Sequence, residues 1–146
     1  MKYFFTLLFS IMLIGPANAQ NKQETLKWLN KNKKHIRLVT SSGYSSEDFK
    51  VEMTDSFIIA YVKNNGEKHK TKLYWSQIKK TTLFLAIGKN GYVTLNTENE
   101  ESIADSITLH FSDYGAEIRE KLTLMANLSG SEVITHTIDY RDVFGY

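Results

Sequence analysis

Apolar positions along the chain change their spacing several times, and each change marks an element. An almost unbroken apolar run comes first, Tyr3-Phe4-Phe5-Thr6-Leu7-Leu8-Phe9-Ser10-Ile11-Met12-Leu13-Ile14. Between Asn21 and His35 the spacing becomes helical: Leu26 and Leu29 lie three apart, with Trp28 beside them. Gln23 and Glu24 come early in that segment and Lys31, Lys33 and Lys34 late, which complements the helix dipole. Its apolar stripe is narrow, so the helix is expected to rest one face on another element. Thr40 to Ser46, with four Ser and Gly43, reads as a loop.

From Phe49 the period drops to two. Phe49, Val51 and Met53 alternate with Lys50, Glu52 and Thr54, as in a half-buried strand. Phe57 to Val62 is denser in apolar residues and suits a strand covered on both faces. Asn64-Asn65-Gly66 is a hairpin turn, because Asn-Gly tolerates the positive φ of a type I′ turn, and Leu73 to Trp75 makes the return strand. Thr81 to Ile87 reads as a strand joined through Lys89-Asn90-Gly91 to Tyr92-Val93-Thr94-Leu95. Glu98 to Glu101 is an acidic loop, and Ile107, Leu109 and Phe111 alternate into another strand.

Helical spacing returns over Tyr114 to Leu128, where Ile118, Leu122, Met125 and Ala126 form one stripe. Asp113 is the expected N-cap and Gly130 the expected stop. The remainder, residues 131–146, carries Val133, Ile138, Tyr140, Val143 and Phe144 and is either an extra strand or a flexible tail. These elements predict an α+β fold. An antiparallel bent sheet or partly open barrel of about six or seven strands stands between an N-terminal helix and a C-terminal amphipathic helix.

The opening run has the parts of a secretory signal peptide. Lys2 supplies the positive start, Gly15 and Pro16 break the helix, and Ala17-Asn18-Ala19 fits signal peptidase. Cleavage is expected before Gln20, with Ala17 and Ala19 as the small recognition residues. The run is too short for an ordinary membrane anchor, which takes roughly 20 apolar residues. Removing 19 of the 146 residues leaves 127, the size of one globular domain. The product is expected to be exported and soluble, in the periplasm or outside the cell, without stable membrane insertion. Its many Lys and Asn residues and short linkers suit a bacterial source.

Composition narrows the chemistry. The chain has no Cys, which removes disulfides, thiol nucleophiles and thiolate metal sites. Its formal charge of +2 is too balanced for a dedicated nucleic-acid binder, so no nucleic acid is expected as partner.

Two Asn-Gly hairpins in a run of strands, followed by one amphipathic helix, resemble the pleckstrin-homology-like fold. The likeness covers roughly residues 49–129. It is closest where the Ile-x-Leu-x-Phe strand runs into the helix over Ser106 to Gly130. Leu73-Tyr74-Trp75-Ser76-Gln77-Ile78 is similar to the strand before the corner of such sheets. The resemblance implies a bent sheet forming a partly open barrel, with the last helix plugging one end. The N-terminal helix and the long tail depart from that plan. Fold alone assigns no function.

The most suggestive local feature is the basic hairpin around Lys68, His69, Lys70 and Lys72, a candidate ligand-binding site. Some pleckstrin-homology domains bind phosphorylated headgroups there, and the resemblance implies the same class of ligand. The plainer reading is that Lys on an exposed hairpin keeps a sheet edge soluble. Lys31, Lys33, Lys34, His35 and Arg37 form a second basic cluster at the end of the first helix.

Four histidines, His35, His69, His110 and His136, lack the spacing of a zinc peptidase helix, and His110 is expected on an outer sheet face. Asn96, Glu98 and Glu100 alternate acceptors without the pattern of a calcium loop. No nucleophile elbow, phosphate loop or dinucleotide fingerprint is present. No catalytic residue, metal site or cofactor is therefore nominated. The expected function is that of a non-catalytic binding or interaction module of the cell envelope, with an envelope protein or small ligand as partner. The alternatives are a small hydrolase with a dispersed acid/base site, or a carrier of a small apolar ligand.

Overall fold

Leu29 is fully buried and Thr25, one turn earlier, nearly so; both lie on helix α1, which spans residues 18–32. Asn30 ties the helix to the strands, since its Nδ2 donates to the Leu26 oxygen at 3.1 Å and the Met53 oxygen at 3.3 Å. The computed structural model describes residues 18–40, 43–44, 49–64, 67–85, 91–97 and 106–139. The expected leader, including Ala17, lies outside them as far as residue 17, whereas Ala19 and Gln20 belong to the start of α1.

After a 3-10 turn at Lys33–His35 come β1 (Ile36–Thr40), β2 (Gly43–Tyr44), β3 (Lys50–Met53), β4 (Phe57–Asn64) and β5 (Glu67–Tyr74). A second 3-10 turn, Trp75–Gln77, leads to β6 (Lys80–Leu85), β7 (Gly91–Asn96) and β8 (Ser106–Phe111). Helix α2 (Gly115–Leu128) and β9 (Ile134–Asp139) complete the order.

The fold is α+β, and its strands form two mostly antiparallel sheets that do not close into a barrel. One has the order β2-β1-β8-β7-β6-β9 and the other β3-β4-β5. The division occurs at Trp75–Gln77. Trp75 is fully buried, and its indole Nε1 donates to the Thr54 oxygen at 2.9 Å. That anchor turns the chain out of β5 before β6 begins, so the two strands enter different sheets.

The last residue of β1 and both residues of β2 fall in the segment expected as a loop, and β1 pairs with β2 through Val39 opposite Tyr44 and Thr40 opposite Gly43. β1 also pairs with β8, from Ile36 opposite Phe111 to Leu38 opposite Leu109. So short a strand shows no clear period, and its conformation comes from the β8 partner. The expected turns Asn65-Gly66 and Lys89-Asn90 and the acidic loop Glu98 to Glu101 fall outside the described residues. Asn64 opposite Glu67 is the last pair before the first of these turns.

Helix α2 begins one residue later than expected. Tyr114, not Asp113, is its N-cap, in the left-handed region at φ 59° and with no side-chain cap bond of its own. The Asp113 carboxylate instead accepts the Tyr114 N–H at 3.0 Å. At the other end Gly130, at φ +88°, follows Ser129. Ser131 N–H reaches the Ala126 oxygen at 3.1 Å and Gly130 N–H the Asn127 oxygen at 3.0 Å, which is a Schellman closure. Ile118, Leu122, Met125 and Ala126 are the buried stripe of α2.

Residues 134–139 of the tail segment are β9, parallel to β6 from Ile134 opposite Lys80 to Asp139 opposite Leu85. Parallel pairing needs a long crossover, and α2 supplies it. The common core unites α1, both sheets and α2 through Leu29, Ile58, Trp75, Val93, Phe111 and Leu122.

Candidate functional site

Alternation in β3, β4 and β5 gives the smaller sheet two unlike faces. Val51, Met53, Ile58, Ala60 and Leu73 face the core. The other face carries Lys50 and Glu52 from β3, Phe57, Ile59 and Tyr61 from β4, and Lys68, Lys70, Lys72 and Tyr74 from β5. Three predicted residues, Lys68, Lys70 and Lys72, therefore share one face. His69, between them on β5, pairs with Val62 of β4.

Cross-strand register sets these side chains in rows. One row is Lys50–Tyr61–Lys70, and both ammonium groups lie 5.8 Å from the Tyr61 ring centroid. The next is Glu52–Ile59–Lys72. Ile59 is only 5% exposed although it lies outside the main core cluster. The Lys72 ammonium stands 4.0 Å from the Phe57 ring centroid and 4.5 Å from that of Tyr74, whose rings meet edge to face at 6.1 Å. Such contacts hold lysines over a flat aromatic floor while leaving their charge outward. Tyr74 is 43% exposed.

Glu52 is the counter-charge on this face. Its carboxylate meets Lys50 Nζ at 2.5 Å and accepts the Tyr61 hydroxyl at 3.2 Å. The hydrogen bond from Lys50 holds the Glu52 carboxyl below its usual range, aided by Tyr61 and by the nearby charge of Lys33. Glu52 in turn raises Lys50, and burial with the Glu52 bond raises Tyr61. All three keep their usual charge states at neutral pH, so the face is a fixed, mainly positive array.

At the edge of this sheet, Lys50 also lines a pocket of about 350 Å³ shared with Lys33, Lys34 and Arg37. The second basic cluster of the sequence is thus joined to the first through β3. Periodicity could not show this, because α1 and β3 meet only in the folded chain. Lys31 and His35 are not part of the pocket lining; His35 stacks edge to face on Tyr114, with ring centroids 5.3 Å apart.

His110 lies on the outer face of the larger sheet, opposite Arg37 and Tyr92 in register, with its ring 5.2 Å from that of Tyr92. Burial, and then Arg37, lower its pKa. Among the described residues no three His, Asp or Glu side chains converge as a metal site does, and no helix is long and apolar enough to cross a membrane. The chain matches no known protein family, and no curated protein sequence matches it.

Proposed function

We propose that this chain is an exported, non-catalytic binding module of the cell envelope, and that it docks an acidic protein surface on the outer face of β3-β4-β5. The observation that carries the reading is the array of Lys50, Lys70 and Lys72, set in two neighbouring rows against Tyr61, Phe57 and Tyr74, with Glu52 as the acidic residue among them. Lysine alone on a sheet edge serves solubility. Lysines held against aromatic rings lose less side-chain entropy on binding, and the rings add contact area. Charge complementarity selects an acidic partner. The larger sheet's pairing of β1 with β8, and the helix that follows β8, support a pleckstrin-homology-like scaffold for this module. The reading as a carrier of apolar ligands draws no support from an interior filled by Trp75, Phe111 and their neighbours.

Immobilised poly-L-glutamate stands in for the acidic surface. The purified protein is expected to bind it at 50 mM salt and release by 500 mM, screening being about threefold stronger there. Lys70→Glu/Lys72→Glu should abolish retention without loss of fold by circular dichroism. Equal retention of the variant would refute the assignment of this face. Export has its own check: secreted or periplasmic material should have the mass of a chain beginning at Gln20.

A further inference from the structure

The pocket beside β3 has a chemistry distinct from the flat face. Lys33 and Lys34 come from the turn after α1 and Arg37 from β1, and Lys50 of β3, its ammonium on Glu52, completes the lining of one recess. Its remaining lining is apolar: Ile36 and Val51 are buried, and Phe49 is half-buried. The recess opens at a seam between the two sheets. β3 is the terminal strand of its sheet, and β2 pairs with β1 only at Val39 and Thr40, beyond the part of β1 that lines the pocket.

Folding has therefore brought together like charges that repel, with the nearby carboxylate of Glu52 engaged by Lys50. A monovalent carboxylate would offset only one of them. A phosphomonoester carries a charge of about −1.5 to −2 at neutral pH and offers three acceptor oxygens, so it can engage several cations together. Arg37 adds the planar fork that matches phosphate geometry. About 350 Å³ is more than a bare phosphate needs and lies at the small end of ligand pockets. The apolar side of the recess, Phe49 and Val51, suits the flat hydrocarbon face of a small ring.

We propose that the recess lined by Lys33, Lys34, Arg37 and Lys50 binds a phosphorylated sugar ring, its phosphate on Lys33, Lys34 and Arg37 and its ring against Phe49. The shared chemistry is a sugar phosphate, either free in solution or as the phosphosugar head of an envelope glycolipid. This goes beyond the acidic-partner reading, because Lys33, Lys34 and Arg37 take no part in the sheet face and only Lys50 belongs to both.

The test is calorimetric titration of the purified protein with glucose 1-phosphate, with glucose as control, together with flotation of phosphatidylcholine vesicles with and without lipopolysaccharide. Saturable binding of the phosphate but not of glucose is expected, weakened about tenfold or more by Lys34→Gln/Arg37→Gln. Lys70→Gln/Lys72→Gln should leave it within about twofold, which separates this site from the acidic-partner face. Binding to lipopolysaccharide vesicles that glucose 1-phosphate displaces assigns the glycolipid source; binding of the free compound alone assigns the soluble one. Amide shifts of the unaltered protein on titration should centre on Ile36, Arg37, Phe49 and Val51. Shifts centred on Lys68 to Lys72, equal binding of glucose, or no binding to either form would overturn the proposal.

Discussion

A methyl group in place of the Gly115 hydrogen would stand 1.7 Å from Phe111 Cε2, so the buried ring of Phe111 uses the absence of a side chain at the start of α2. Gly91, opposite Phe111 on β7, is approached in the same way, at 2.6 Å from Cζ. The ring thus sits between two glycines at the corner where β8 becomes α2. Gly115→Ala should destabilise by about 1–3 kcal/mol through overpacking, although alanine is the better helix former by roughly 1 kcal/mol. Urea midpoints measure it. In a Phe111→Leu background the same substitution should cost at least about 1 kcal/mol less, and additive losses would disprove the contact.

Trp75 joins the β3–β4 connection to the junction between the sheets. Trp75→Phe leaves a void and an unpaired Thr54 oxygen, and is expected to cost about 2–4 kcal/mol. A loss below about 0.5 kcal/mol in chemical denaturation would show that the junction does not depend on this indole.

Burial, with Arg37 second, holds His110 below its ordinary value of 6.5. The unfolded chain therefore takes up this proton at a higher pH than the folded one. The corresponding stability is present above about pH 6.5 and is lost as pH falls through it towards the folded value. Comparing denaturation midpoints at pH 7.5 and pH 5.5, His110→Gln should lose less stability than the unaltered protein. A larger loss in the variant would reverse the assigned sign.

β9 depends on a short stretch after α2. Ser131 Oγ donates to the Ile78 oxygen in a buried hydrogen bond, and Ile134 N–H donates to the Lys79 oxygen at 2.9 Å. Ser131→Ala should cost about 1–2 kcal/mol. Amide exchange should then quicken first over Ile134–Asp139, where most residues are exposed, and later in β6, β7 and β8. Uniform acceleration across the larger sheet would argue against a local role.

Much of the fold is legible in the chain because its strongest signals are local. The stripe from Ile118 to Ala126 has only one face apolar enough to bury, and Ile107, Leu109 and Phe111 alternate cleanly. Gly130 marks the helix end through a conformation that glycine adopts without penalty. β1 was not legible, since Ile36–Thr40 is short and takes its geometry from β8. Nor was the N-cap: Asp113 has the right chemistry, but Phe111 packed on Gly115 leaves Tyr114 as the residue that turns the chain.

The candidate surfaces divide in the same way. Lys68, Lys70 and Lys72 share a face because a strand has period two, which the sequence determines once β5 is recognised. Their pairing with Phe57, Tyr61 and Lys50 depends on register across three strands. The recess depends on a still longer-range event, the approach of the α1 turn and β1 to β3, residues 33–37 meeting residues 49–51. The sequence by itself determined the elements, their order and the absence of cysteine chemistry, because those follow from side-chain type and spacing. Only the tertiary structure decided which cations converge, because burial of Leu29, Trp75 and Phe111 in one core sets where the separate basic segments come to lie.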